Sequence, residues 1–210
     1  MQLSDNRYAI PNAARARSRA ALWIERFLWI AGCVALGYCA FLWGRAQYDQ
    51  AQGNWALDHF SVTDRPPVKF KVNREGTLVG RIEIPRLDLS AIVFEGTSDG
   101  ILSRGVGHLM GSAGPGEHGN LVLAGHRDTF FRELRGIRKG DEVTITAPGG
   151  EFQYQVESTA IVQPDQTEVL KSDGGANLTL ITCYPFRYVG NAPERFVVRA
   201  TKVERSKDPS

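Results

Sequence analysis

The chain changes its pattern of apolar and polar positions once, and the two halves of that pattern predict different kinds of structure. Residues 27–43, FLWIAGCVALGYCAFLW, hold no charge. As a helix rising 1.5 Å per residue they would span roughly 26 Å, just enough to cross a bilayer. Beyond Thr77 the apolar runs are short and broken by Gly, Pro, Asn and Asp, as in an all-β domain. Residues 78–84 alternate, with Ile82 and Ile84 on one face, Arg81 and Glu83 on the other, and Pro85 ending the run. A second strand is expected over 89–94, then a helical turn over 98–104 with Ser98 as its N-cap. Residues 105–120, rich in glycine, read as a long ordered loop, and residues 121–124 as a central strand apolar on both faces. A short helix over 129–137 and strands at 142–146, 151–162, 178–183 and 195–203 complete the domain. Seven or eight strands in so short a stretch favour a closed or nearly closed barrel over a sandwich.

These elements divide the chain into a cytoplasmic tail (1–26), a transmembrane anchor (27–44), a stalk and linker containing Pro66-Pro67 (45–76) and a folded domain (77–205). Arg15, Arg17, Arg19 and Arg26 precede the apolar run and few charges follow it at once. The positive-inside rule therefore puts the N-terminus in the cytoplasm and everything after Arg45 outside the cell membrane. A cleaved signal peptide has an apolar region of only 7–15 residues and a small-residue cleavage site behind it. Neither description fits here, so the anchor is expected to be retained. Ile30-Ala31-Gly32-Cys33 looks like a lipoprotein processing box, but the apolar run continues ten residues past Cys33. The net charge of +2 offers no case for a nucleic-acid partner.

Compartment gives the cysteines their meaning. Cys33 and Cys39 fall in the membrane run, which leaves Cys183 as the one thiol of the exported domain, without a disulfide partner there. An unpaired exported thiol points to intermolecular pairing or to reactivity. Cys183 ends the apolar strand TLITC, and Pro185 helps to stop that strand. A cysteine nucleophile needs a base, an acid for the leaving group and donors for an oxyanion. His59, His108, His118 and His126 all precede Cys183, an order opposite to that of the papain-like peptidases. His126 is the best placed of them, because the strand at 121–124 ends two residues before it. If that strand lies parallel to the one carrying Cys183, both side chains emerge at one rim. Arg195, twelve residues after Cys183, opens the last strand. An antiparallel return would set its guanidinium beside the thiol, able to donate to an oxyanion. His108 and His118 lack the carboxylate or cysteine that would complete a tight metal site, so structural hydrogen bonding is expected of them, and no metal or cofactor is implied. Asp128, two residues from His126 on one turn, is not counted as catalytic.

Three segments, LAGHRDTFFREL, TLITCYPF and APERFVVRA, together resemble the sortases, and among these class D, the membrane-anchored cysteine transpeptidases. The TLxTC motif is matched at residues 179–183, the histidine motif at 125–128 and the arginine motif at Arg195, in the family's order. The resemblance implies an eight-stranded β-barrel with short helices, an N-terminal membrane anchor and a groove that reads an LPxTG-like sorting signal. It also implies catalytic roles for His126, Cys183 and Arg195. The partners would be exported proteins bearing a C-terminal sorting signal and an amine acceptor in the cell envelope. L,D-transpeptidases also place His before Cys, but their SHGC-type cluster is absent here. The alternative from another class is a membrane-tethered β-barrel that binds a peptide and carries an inert cysteine. Residues 164–177 and 184–194 flank the catalytic strand and are the expected groove walls.

Overall fold

A computed structural model describes residues 19–59, 74–172, 174–188 and 190–203. The expected tail, apart from its last eight residues, and most of the linker lie outside the described residues. The chain divides into two compact units, residues 1–43 and 44–210. One helix, α1 (Arg19–His59), runs past the apolar stretch that predicts it, and its Leu22–Gln52 segment is long and apolar enough to cross a membrane. Every side chain from residue 22 to residue 45 is exposed, including Trp23, Phe27, Trp29 and Trp43. A helix that is apolar on all faces and has no protein cover suits hydrocarbon, which makes α1 a candidate membrane anchor.

The second unit is a closed barrel of eight strands: β1 (Leu78–Ile84), β2 (Leu89–Glu95), β3 (Val106–His108), β4 (Gly119–Ala124), β5 (Glu142–Ala147), β6 (Gly150–Val162), β7 (Ala176–Tyr184) and β8 (Glu194–Val203). Around the barrel they follow the order β1-β2-β3-β4-β7-β8-β6-β5, and β5 closes on β1. Only the β2–β3 and β4–β7 pairs are parallel. Closure gives every strand a partner on both sides over at least part of its length, and alternate side chains of each strand fill the interior. Ile82, Ile84, Leu121, Leu123, Ile145, Leu178, Leu180 and Val198 form that core with Phe131 and Tyr154.

The expected loop at 105–120 contains β3 and the start of β4. β3 is three residues long with a glycine at its centre, so it carries no readable alternation. Its glycine is nevertheless required: a Cβ on Gly107 would sit 2.3 Å from the Gly96 carbonyl oxygen. The expected helix at 129–137 is a set of turns closing in a 3-10 helix, Arg132–Gly136. Ser98 does precede a helical turn, α2 (Asp99–Leu102), but its side chain makes no capping bond.

Three polar ties fasten the barrel. Arg86 donates through two nitrogens to Asp141, and the Arg138 N–H donates to the same carboxylate at 2.7 Å. These bonds hold the Asp141 carboxyl below its ordinary pKa against the opposing effect of burial. The Gly116 N–H donates to the Tyr154 hydroxyl at 3.2 Å, while burial pushes that phenol above its ordinary pKa. In the later part of α1, Gln50 donates to the Arg104 carbonyl at 2.7 Å and accepts from the Ile92 N–H at 2.8 Å. It thereby satisfies backbone groups of β2 and of the turn before β3 that the short β3 leaves unpaired.

Candidate active site

The parallel register of β4 and β7 decides which side chains meet. Leu123 pairs with Leu180 and Ala124 with Ile181. The alignment continues past the end of β4: the Gly125 N–H donates to Ile181 O at 3.1 Å, and Thr182 Oγ1 donates to Gly125 O at 2.7 Å. One residue further, His126 is level with Cys183. On the other side of β7, Cys183 is the direct partner of Arg195 in β8. Leu123, Leu180 and Val198 point into the core, so alternation along β7 and β8 turns Cys183 and Arg195 to the outer face, while half-buried His126 follows the end of β4 at the same level. Neighbouring strands lie about 4.8 Å apart, and the three residues form one short row across three strand ends. Both pairings expected from sequence, parallel and antiparallel, are present.

Local structure fixes each member of the row. Gly125 lets the turn pack closely, because a Cβ there would stand 2.8 Å from the buried Phe131 ring. The Phe131 N–H in turn donates to His126 O at 3.0 Å, which holds the histidine's backbone over the core. Thr182 faces the interior, as alternation next to Cys183 requires, and its hydroxyl locks β7 to the Gly125 turn. Cys183 is a free, half-buried thiol. One nitrogen of Arg195, Nη1, donates to Ala192 O at 3.2 Å and Glu194 O at 2.9 Å, so backbone carbonyls and not a carboxylate orient the guanidinium.

Sequence reasoning passed over several residues around this row. Tyr184, Phe186 and Phe196 form an aromatic cluster beside Cys183, with ring centroids 5.3 to 6.4 Å apart. Arg127, next to His126, donates through Nη2 to Tyr188 O at 2.9 Å and Gly190 O at 3.2 Å, and so ties the β7–β8 connection to the histidine turn. The Y-P-F spacing after Cys183 could have flagged the aromatics, but Arg127 has no sequence signal for partners some sixty positions away. The β6–β7 connection is tied as well, through Asn120 Nδ2 to Leu170 O at 2.9 Å and Arg199 Nη2 to Val169 O at 3.3 Å. Asp128 is exposed, and so is His118. The side chain of His59 lies outside the described residues.

His108 sits in a different constellation, one that resembles a hydrolase triad. Its Nδ1 lies 2.7 Å from Glu95 Oε2 and its Nε2 lies 2.8 Å from Ser112 Oγ. Ser112 donates its proton to Leu109 O at 2.7 Å, and Nε2 also meets Ala113 O at 3.1 Å. The Leu109 and Ala113 carbonyls thus compete for the hydrogens of the Ser112–Nε2 contact and tie the hydroxyl to the backbone. Glu95 and His108 are also buried, at 2% and 6% exposure, out of reach of a substrate. This triad is a structural clamp.

Residues 82–203, more than half of the chain and all of the rim row, match the Sortase domain. The chain belongs to the sortase family. It is 41% identical to sortase D of Bacillus subtilis over 143 residues, which cover 67% of this chain and 72% of that protein. Among solved structures, a sortase D5 transpeptidase of Clostridium perfringens superposes with a TM-score of 0.65 over 77% of this chain and 99% of that one; at 24% identity it attests the fold alone. Sortase C1 of Streptococcus suis superposes with a TM-score of 0.57 at 30% identity, covering 63% of this chain and 76% of its own. Sortases are cysteine transpeptidases, and this sortase is accordingly an acyl-transfer enzyme.

Proposed function

We propose that this sortase cleaves an LPxTG-like sorting signal at its Thr-Gly bond through a thioester on Cys183, and passes the acyl group to an amine of the cell envelope. The observation that carries the reading is the row itself, with Cys183 opposite Arg195 and level with His126. The Cys183 thiolate attacks the threonine carbonyl, and Arg195 donates to the resulting oxyanion. Collapse of the tetrahedral intermediate breaks the C–N bond, and His126 as imidazolium gives its proton to the departing amine. The threonine acyl group is then joined to sulfur. An incoming amine attacks the thioester, neutral His126 accepts its proton, and the new amide leaves as the thiolate is regenerated. Water competes for the same intermediate and yields hydrolysis.

The division into tail, anchor, linker and catalytic domain follows the sequence boundaries, with residues 27–44 of α1 as a retained single-pass anchor, the N-terminus cytoplasmic and the barrel extracytoplasmic. Exported proteins with a C-terminal sorting signal and an amine acceptor are the corresponding partners. The test incubates the full-length chain with a quenched LPxTG-type peptide and then searches Cys183 for an acyl adduct by mass spectrometry. An adduct on Cys183 that is lost in Cys183→Ala is the expected result; undiminished cleavage by Cys183→Ala would overturn the mechanism.

A further inference from the structure

The segments that follow His126 and Cys183 meet around a cavity of about 200 Å³ lined by Arg127, Asp128, Arg132, Arg135, Phe186 and Arg187. Four guanidinium groups against one carboxylate leave this lining with a large positive surplus. Among the described residues, the one carboxylate partner of these arginines is Glu133, 3.3 Å from Arg135 in an exposed pair. Arg127 frames the cavity more than it offers charge. Its Nη2 is committed to the Tyr188 and Gly190 carbonyls, its guanidinium lies 5.8 Å from the Tyr188 ring centroid, and its Nη1 is buried without a partner. Arg132, Arg135 and Arg187 are exposed and present their charge to solvent. Like charges gathered on a concave surface repel one another, and an oxyanion relieves that repulsion while matching the fork of an arginine.

The position of the cavity says which reactant brings the anion. One wall begins at the residue after His126, the group that exchanges protons with the amine in the reading above, on which this step rests. In that reading the acyl group sits on Cys183, the direct strand partner of Arg195, and the amine meets His126. By microscopic reversibility the leaving and the entering amine use the same face of His126. We propose that this cavity is the acceptor subsite, and that it selects amines whose skeleton carries a free carboxylate. Its volume suits one small fragment and not a whole polymer. Asp128 sits in the lining as an opposing charge and weakens the selection, which gives the proposal a second sign to check.

The experiment has two arms, both on the full-length chain in detergent. In the first, arginine Nε–H signals of the Cys183→Ala protein are followed by NMR during titration with Nα-acetyl-lysine, with its α-amide, and with inorganic phosphate. Acetyl-lysine is expected to shift them and the amide to leave them in place, with the shifts lost in Arg132→Gln/Arg187→Gln. In the second, acyl transfer to the two lysine derivatives is compared as a ratio, which cancels any general change in activity. The carboxylate acceptor is expected to win by about fivefold in the parent. That ratio should fall towards one in Arg132→Gln/Arg187→Gln and rise in Asp128→Asn. A parental ratio of one, or equal responses to phosphate and acetyl-lysine, means an adventitious anion only and overturns the proposal. If no thioester forms on any signal peptide, the role of Cys183 fails while the titration still decides the cavity.

Discussion

His108 ends β3 and His126 follows the neighbouring β4, and their surroundings divide them. His108 ends β3 opposite the core residue Leu123, with both ring nitrogens committed to Glu95, Ser112 and Ala113 in a closed network. His126 lies just beyond β4, half-buried and level with a free thiol. The first histidine has better hydrogen-bond geometry and the second has access. A satisfied buried network stabilises, whereas proton transfer to a substrate requires a nitrogen whose partner can be exchanged.

Mutations sharpen this contrast in a definite order. Replacing Cys183 by Ala should remove the acyl adduct and lower peptide cleavage by at least about 10⁴-fold, read in the quenched-peptide assay. His126→Ala should cost about 10²–10⁴ in kcat/KM, with a urea midpoint that moves less than that of His108→Ala because His126 is only half-buried. If His126→Ala leaves turnover intact, the row has been misassigned. Arg195→Lys retains the charge but loses the planar fork, and should cost about 10² in kcat with thiol alkylation preserved. His108→Ala should behave in the opposite way, lowering stability by about 3–5 kcal/mol because Glu95 is left buried without its partner. Cleavage per folded molecule should remain near the parent's; a loss comparable to that of His126→Ala would erase the distinction between the two histidines.

The smallest effect concerns pH. Asp141 is held below its ordinary pKa by Arg86, so its contribution to stability is complete above the unfolded carboxylate value of about 3.9 and is lost as pH falls through the lower folded value. Urea midpoints should therefore drop below about pH 4, and Asp141→Asn should flatten that part of the profile. An unchanged acid limb in Asp141→Asn would show that other carboxylates govern it.

Legibility followed the range of the interactions involved. The later part of β1 is read directly because Ile82 and Ile84 alternate with Arg81 and Glu83 and Pro85 ends the run, whereas its start at Leu78–Gly80 is irregular. β3 is not, since three residues around Gly107 owe their conformation to β2 and β4 on either side. Glu95 gives another example. It closes an apolar strand and is buried against His108 of the neighbouring β3, a pairing that nothing local to it reveals.

By itself the sequence determined the apolar helix, the strand rhythm, the order of His126, Cys183 and Arg195 and the family they mark, because each depends on neighbours along the chain. Tertiary structure alone decided that these three fall in one row, that the Glu95–His108–Ser112 look-alike is tied into a network with backbone carbonyls, and that arginines after His126 and after Cys183 share a cavity. The physical reason is strand register. A shift of one residue turns every side chain to the other face, and the β4–β7 register is set by pairing between segments more than fifty residues apart.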